Sequence, residues 1–111
     1  MKKELLAQII MIATEPNGGC TVDMDGNIPV KGYAVATEGM VYPKYSFTTQ
    51  DILDFISCNS KSEFIGSWET AGNVFLDHVI IVESLEDALR LGRTYKQQAI
   101  YDLERQEEIL C

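Results

Sequence analysis

The sequence is short of the residues from which reactive sites are usually assembled. It holds one histidine, three cysteines, one tryptophan and three prolines among its 111 residues. A single histidine excludes the clustered imidazoles of a typical zinc or copper centre. Cys20, Cys58 and Cys111 are odd in number, far apart and without a CxxC spacing. A disulfide scaffold or a thiolate metal site is therefore not expected, and the cysteines fit a reducing cytoplasm. Basic residues are also scarce, with 9 Lys and Arg against 17 Asp and Glu, for a net charge of −8. That balance argues against direct binding to nucleic acid or to an anionic membrane. No long apolar run is present. The nearest is Leu5–Ala13, far short of the roughly 20 residues that a bilayer requires. Thr14-Glu15-Pro16-Asn17 follows it with no signal-type cleavage site, so it is expected to be a core helix.

What remains is ordinary globular material. Apolar residues make up 46% of the chain, enough for one core, and the length suits one domain spanning residues 1–111. The periodicity predicts a first helix over Lys3–Thr14, with Leu5, Leu6, Ile9, Ile12 and Ala13 inward, stopped by Pro16 and Asn17-Gly18-Gly19. A hairpin of Cys20–Met24 with Ile28–Val30 is expected around Asp25-Gly26-Asn27. A second is expected to pair Tyr33–Thr37 with Val41–Phe47 across Glu38-Gly39. The next helix is expected to begin at Thr48 or Thr49, to present Ile52, Leu53 and Ile56, and to stop at Asn59-Ser60-Lys61-Ser62.

A third hairpin, Phe64–Thr70 with Val74–Val82, follows. Collecting its apolar residues on one face favours a three-residue loop, Ala71-Gly72-Asn73, with Trp68 opposite Leu76, Gly66 opposite His78 and Phe64 opposite Ile80. Ser84 and Asp87 form a capping pair for the last helix, whose inner stripe is Leu85, Ala88, Leu89, Gly92 and Tyr95. Gly92 on that stripe predicts close approach to the sheet. Ala99–Leu103 is a terminal strand with a short partner at Glu107–Leu110. The fold class is thus α+β: a single, mainly antiparallel β-sheet with helices packed on it, built from two hairpin-helix (ββα) units, with a parallel crossover through the last helix.

Candidate chemistry is thin. Ser67, His78 and Glu69 have the residue types of a triad, but the three-residue loop puts His78 on the opposite face from the other two. Asp23-x-Asp25-Gly26-Asn27 resembles the opening of a calcium loop, but Ile28 stands where its glycine belongs and Ala34 where its glutamate belongs. The residues make a turn. Arg90, Arg93 and Lys96 or Gln97 form a short basic stripe, which a Glu86–Arg90 pair would neutralise. No catalytic, metal-binding or cofactor-binding residues are assigned, and nothing points to an enzyme. Tyr33, Trp68, His78 and Tyr101 are the candidate interaction or ligand surface, since Tyr and Trp combine an apolar body with a polar tip.

Ile65-Gly66-x-Trp68, Val74-Phe75-Leu76-Asp77, Ala88-Leu89-x-Leu91-Gly92 and Gln98-Ala99-Ile100-Tyr101-Asp102-Leu103 carry a resemblance, joined upstream by Gly19-Cys20-Thr21-Val22 and Gly32-Tyr33-Ala34-Val35. On these motifs the chain resembles a group of small, uncharacterised bacterial proteins carried on phages and conjugative elements. The resemblance implies a genomic context and no catalytic residues. The expected role is a non-enzymatic accessory protein that binds another protein, with a homodimer among the options. Two alternatives are an acidic, DNA-mimicking inhibitor of a nucleic-acid-handling enzyme and a small-ligand binder or enzyme with an unrecognised site near Trp68 and His78.

Overall fold

The computed structural model describes residues 1–58 and 62–111, apart from the side chain of Asn17. The elements run α1 (Lys3–Asn17), β1 (Gly19–Asp23), β2 (Tyr33–Pro43), a 3-10 turn (Lys44–Ser46), α2 (Thr49–Cys58), β3 (Phe64–Thr70), β4 (Asn73–Val82), α3 (Leu85–Thr94), β5 (Ala99–Asp102) and β6 (Glu107–Leu110). The six strands form one antiparallel sheet in the order β1-β3-β4-β2-β5-β6, curled into a half-barrel. This is the α+β fold with helices packed on a sheet.

Local capping places the helices where the sequence marks them. Thr48 N–H donates to Asp51 Oδ2 at 2.9 Å, and Asp51 N–H returns to Thr48 Oγ1 at 3.4 Å, a reciprocal box that starts α2. Asp87 N–H donates to Ser84 Oγ at 3.3 Å to start α3. The expected stop at Asn59-Ser60-Lys61-Ser62 falls largely outside the described residues. α1 outruns its expected end by one turn. Pro16 lies in that last turn, where a single lost hydrogen bond is tolerated, and Gly18 at φ 73° closes the helix by donating to Thr14 O. The inner face of α1 is also rotated from expectation. Leu6, Ala7, Ile10 and Thr14 are buried, while Leu5 and Ile12 face out, Ile12 being 70% exposed.

Four strand pairings differ from those the sequence suggests. β1 ends in the expected turn at Asp23–Asn27, but Ile28–Val30 forms no strand, and β1 pairs instead with β3. The Tyr33–Thr37 and Val41–Phe47 segments are not a hairpin. Tyr33–Thr37 and Val41–Pro43 belong to the single strand β2, which runs along β4 with a bulge between Ala36 and Glu38, while Lys44–Ser46 forms the 3-10 turn. Gly39 there serves close approach, because a Cβ would run into Leu76 O and Asp77 Oδ1. Of the two hairpin-helix units, β3-β4-α3 therefore has both its strands and β2-α2 has one. In addition, the β3–β4 turn is two residues long, Ala71-Gly72, with both residues at positive φ (50° and 81°). The register moves by one, to Trp68↔Phe75, Gly66↔Asp77 and Phe64↔Val79. The crossover through α3 sets β5 beside β2, antiparallel, so it makes no parallel pair.

All three helices cover one face of the sheet. α1 and α2 bury Val22, Ile65, Val74 and Leu76 together with Ile52, Phe55 and Ile56. α3 packs Ala88 over Val35 and Ile100. Gly92 is the close-contact point, since a Cβ there would lie 3.0 Å from Ile100 Cγ2. No helix packs on the inner, concave face.

Candidate functional site

The two faces of the sheet carry different polar chemistry. Under α1, Ser67 is buried and its hydroxyl is fully used. Thr14 Oγ1 donates to Ile10 O at 2.6 Å, so the 2.5 Å contact between Thr14 and Ser67 has Ser67 as its donor. Ser67 Oγ in turn accepts Cys20 N–H at 3.1 Å and lies 3.2 Å from Cys20 Sγ. Burial pushes the Cys20 thiol above its ordinary range, against the lowering effect of its Ser67 and Thr14 contacts. This is a closed structural network without a free nucleophile.

The corrected register brings His78 onto the same face as Ser67 and Glu69, where the longer loop would have separated them. They still do not form a triad. The His78 ring stacks on Phe55 with centroids 4.7 Å apart, and burial lowers its pKa, partly opposed by Glu38. Glu69 is paired with Lys44 at 2.5 Å. Tyr33 lies on this helix-covered face too, packed around the α3 core. Trp68 and Tyr101 lie on the concave face, so the four aromatic candidates divide two and two.

The concave face is built from cross-strand rows that the register fixes. One row is Gly19–Trp68–Phe75–Val41, the next Thr21–Gly66–Asp77–Gly39, and the next Asp23–Phe64–Val79–Ala36. Trp68 and Val41 stand 45% and 53% exposed. A groove of about 780 Å³ follows these rows between the free-edge strands β1 and β6. Trp68, Phe75, Val79 and Tyr101 contribute its apolar lining, with Ile28 and Pro29 from the loop after β1. Lys96 and Glu108 are charged groups on its wall.

Asp77 occupies the middle row. Glycine flanks it on both neighbouring strands, and a Cβ at Gly66 would approach Val79 Cγ2 to 2.8 Å. Burial pushes the Asp77 carboxyl up to about 6, with no opposing charge or hydrogen bond. No ion pair joins it to another described residue. The three-residue loop would have turned Asp77 to the same face as Ser67 and Glu69, away from the concave face. Its signal was present all the same, as a lone carboxylate inside the apolar run Val74–Val82.

The remaining motifs are structural. Asp23 Oδ1 accepts Asp25 N–H and Asn27 N–H, each at 2.9 Å, and these backbone donors hold its carboxyl below the ordinary range. No group of three His, Cys, Asp or Glu suited to a metal occurs among the described residues. Arg90 reaches Asp87 at 3.5 Å rather than Glu86. Exposed acids are spread over α1, α2, α3 and β6 and do not gather around one element. No helix is long and apolar enough to cross a membrane among the described residues. No protein-family model, curated protein or solved structure matches the chain.

Proposed function

We propose that the protein is a non-catalytic accessory protein that holds an extended segment of another protein in the concave groove of its half-barrel. The observation that carries this reading is the side on which the helices pack. All three lie on one face, and the other presents Trp68, Phe75 and Val41 in a row that no helix covers, with Trp68 and Val41 about half exposed. Apolar surface rimmed by polar groups is costly in water and marks interaction sites. A trough bordered by two free strand edges also suits an extended chain, whose backbone can pair with an edge while alternate side chains enter the trough.

Photo-cross-linking in the native host tests the assignment. A photoreactive residue would replace Val41, Trp68 or, as the control on the helix layer, Ile12. Discrete adducts from the Val41 and Trp68 sites, absent from the Ile12 site, are the expected result. An adduct of twice the chain mass would identify the partner as a second copy. Adducts from Ile12 alone would move the binding surface to the helices and end this reading.

A further inference from the structure

Resting on the groove reading, we propose that the groove selects a basic side chain: a lysine or arginine flanked by apolar residues in the bound segment sets its cationic head on Asp77 and lays its stem along Phe75 and Trp68. The geometry is that of a reserved position. Asp77 projects from the centre of the concave face, at the midpoint of the row Thr21–Gly66–Asp77–Gly39. The two glycines beside it leave bare backbone on either side. A side chain at Gly39 would strike the Asp77 carboxylate itself, and one at Gly66 would press on buried Val79. The rows above and below are apolar, with Phe75 and Val79 on the same strand and Trp68 and Phe64 on β3.

A carboxylate held in such surroundings loses hydration, and a buried charge is normally paired or hydrogen-bonded. Every fully buried polar side-chain atom among the described residues has a hydrogen-bond partner, so the unpartnered Asp77 oxygens are only partly buried and remain open to the groove. No Lys or Arg of the described chain forms an ion pair with Asp77. Lys96 on the groove wall contributes no resolved charge effect to it. An incoming ammonium or guanidinium would supply the missing partner in a medium where charge-assisted hydrogen bonds are strong. Arginine and lysine stems also suit an aromatic floor, since the methylenes bury while the head stays polar. A net charge of −8 favours the approach of a basic segment.

The test uses the intact protein and two capped pentapeptides, identical except that one has arginine and the other its neutral isostere citrulline at the centre of four valines. Fluorescence of Trp68, the one tryptophan, reports entry into the groove, and the NMR shift of the Asp77 carboxyl carbon reports on the anchor. The arginine peptide is expected to bind about tenfold more tightly than the citrulline peptide and to move the Asp77 signal. In Asp77→Asn the two peptides are expected to bind alike. Equal affinity for the two peptides in the unaltered protein, with Trp68 responding, would overturn the cation assignment and leave the groove reading standing. Failure of both peptides to perturb Asp77 at millimolar concentration would overturn it too. The cross-links from Val41 and Trp68 would then report separately on the groove.

Discussion

Ser67 and Asp77 are polar residues on adjacent strands, one behind the sheet and one in front of it, and the protein treats them in opposite ways. Ser67 is enclosed by α1, and its hydroxyl joins a chain from Cys20 through Thr14 to Ile10 O. Asp77 is set among glycines and aromatics with its carboxylate unpaired. A polar group that the fold encloses for its own sake is satisfied by the fold, because leaving it unmade costs about 1–3 kcal/mol. One left without a partner at the centre of an open groove is burdened by the fold and relieved by what enters the groove. The contrast separates the helix-covered face, where polar groups are enclosed and satisfied, from the concave face, which has its own small cluster around Ala34, Val79 and Leu103 but leaves a carboxylate open.

The largest effect expected from that division is in the core. Leu76 is fully buried against α1 and α2, so Leu76→Ala is expected to cost about 2–5 kcal/mol. Val41, across the sheet and half exposed, is expected to lose no more than about 0.5 kcal/mol as alanine. Urea unfolding measures both. Similar losses at the two sites would show that the concave face is covered in solution, and the comparison would break.

Asp77→Asn is expected to stabilise the protein at neutral and higher pH. The sign follows from the direction of the shift. The folded-state value, about 6, lies above that of an unfolded aspartate, about 3.9. Below the unfolded value both states are protonated and the residue carries no penalty. As pH rises through the folded value, the native state is forced to ionise an already desolvated group, and stability is lost. Allowing for partial solvent screening, the amide should recover about 1–3 kcal/mol near pH 8 and almost nothing near pH 3.5. A gain that does not shrink on acidification would mean that something other than charge burial is being relieved. A loss at pH 8 would mean that Asp77 has a structural partner after all.

How much of this was legible in the sequence depends on how local each determinant is. The caps at Thr48–Asp51 and Ser84–Asp87 lie three residues apart and were readable, as was the tight approach at Gly92. The partner of β1 is β3, more than 40 residues away, and nothing near Asp25-Gly26-Asn27 announces it. Glu38-Gly39 has the composition of a turn, but Gly39 is required by backbone crowding against Leu76 and Asp77, so the same residue type answers a different steric demand. Ala71 is a poor marker for a left-handed turn, and reading the loop one residue too long moved the register by one. Because side chains alternate, that slip put Asp77 on the same side as Ser67 and took His78 away from it. The groove was invisible for the same reason: its two borders, β1 and β6, lie at opposite ends of the chain and meet only through the curl of the sheet.

Ser67→Ala is the finest test of the comparison, and its sign should oppose that of Asp77→Asn. Removing the hydroxyl leaves Cys20 N–H without its acceptor and takes the donated proton away from Thr14, while Thr14 keeps its own bond to Ile10 O. One backbone donor at an edge strand is therefore orphaned, for a cost of about 1–2 kcal/mol. The loss should not vary with pH between about 4 and 7, since serine does not titrate, nor should the raised Cys20 thiol in that range. Thermal unfolding of the two variants across that interval would show one roughly parallel to the unaltered protein and one diverging from it as the carboxyl ionises. Parallel behaviour in both would remove the distinction between a polar group the fold uses and one it holds for a partner.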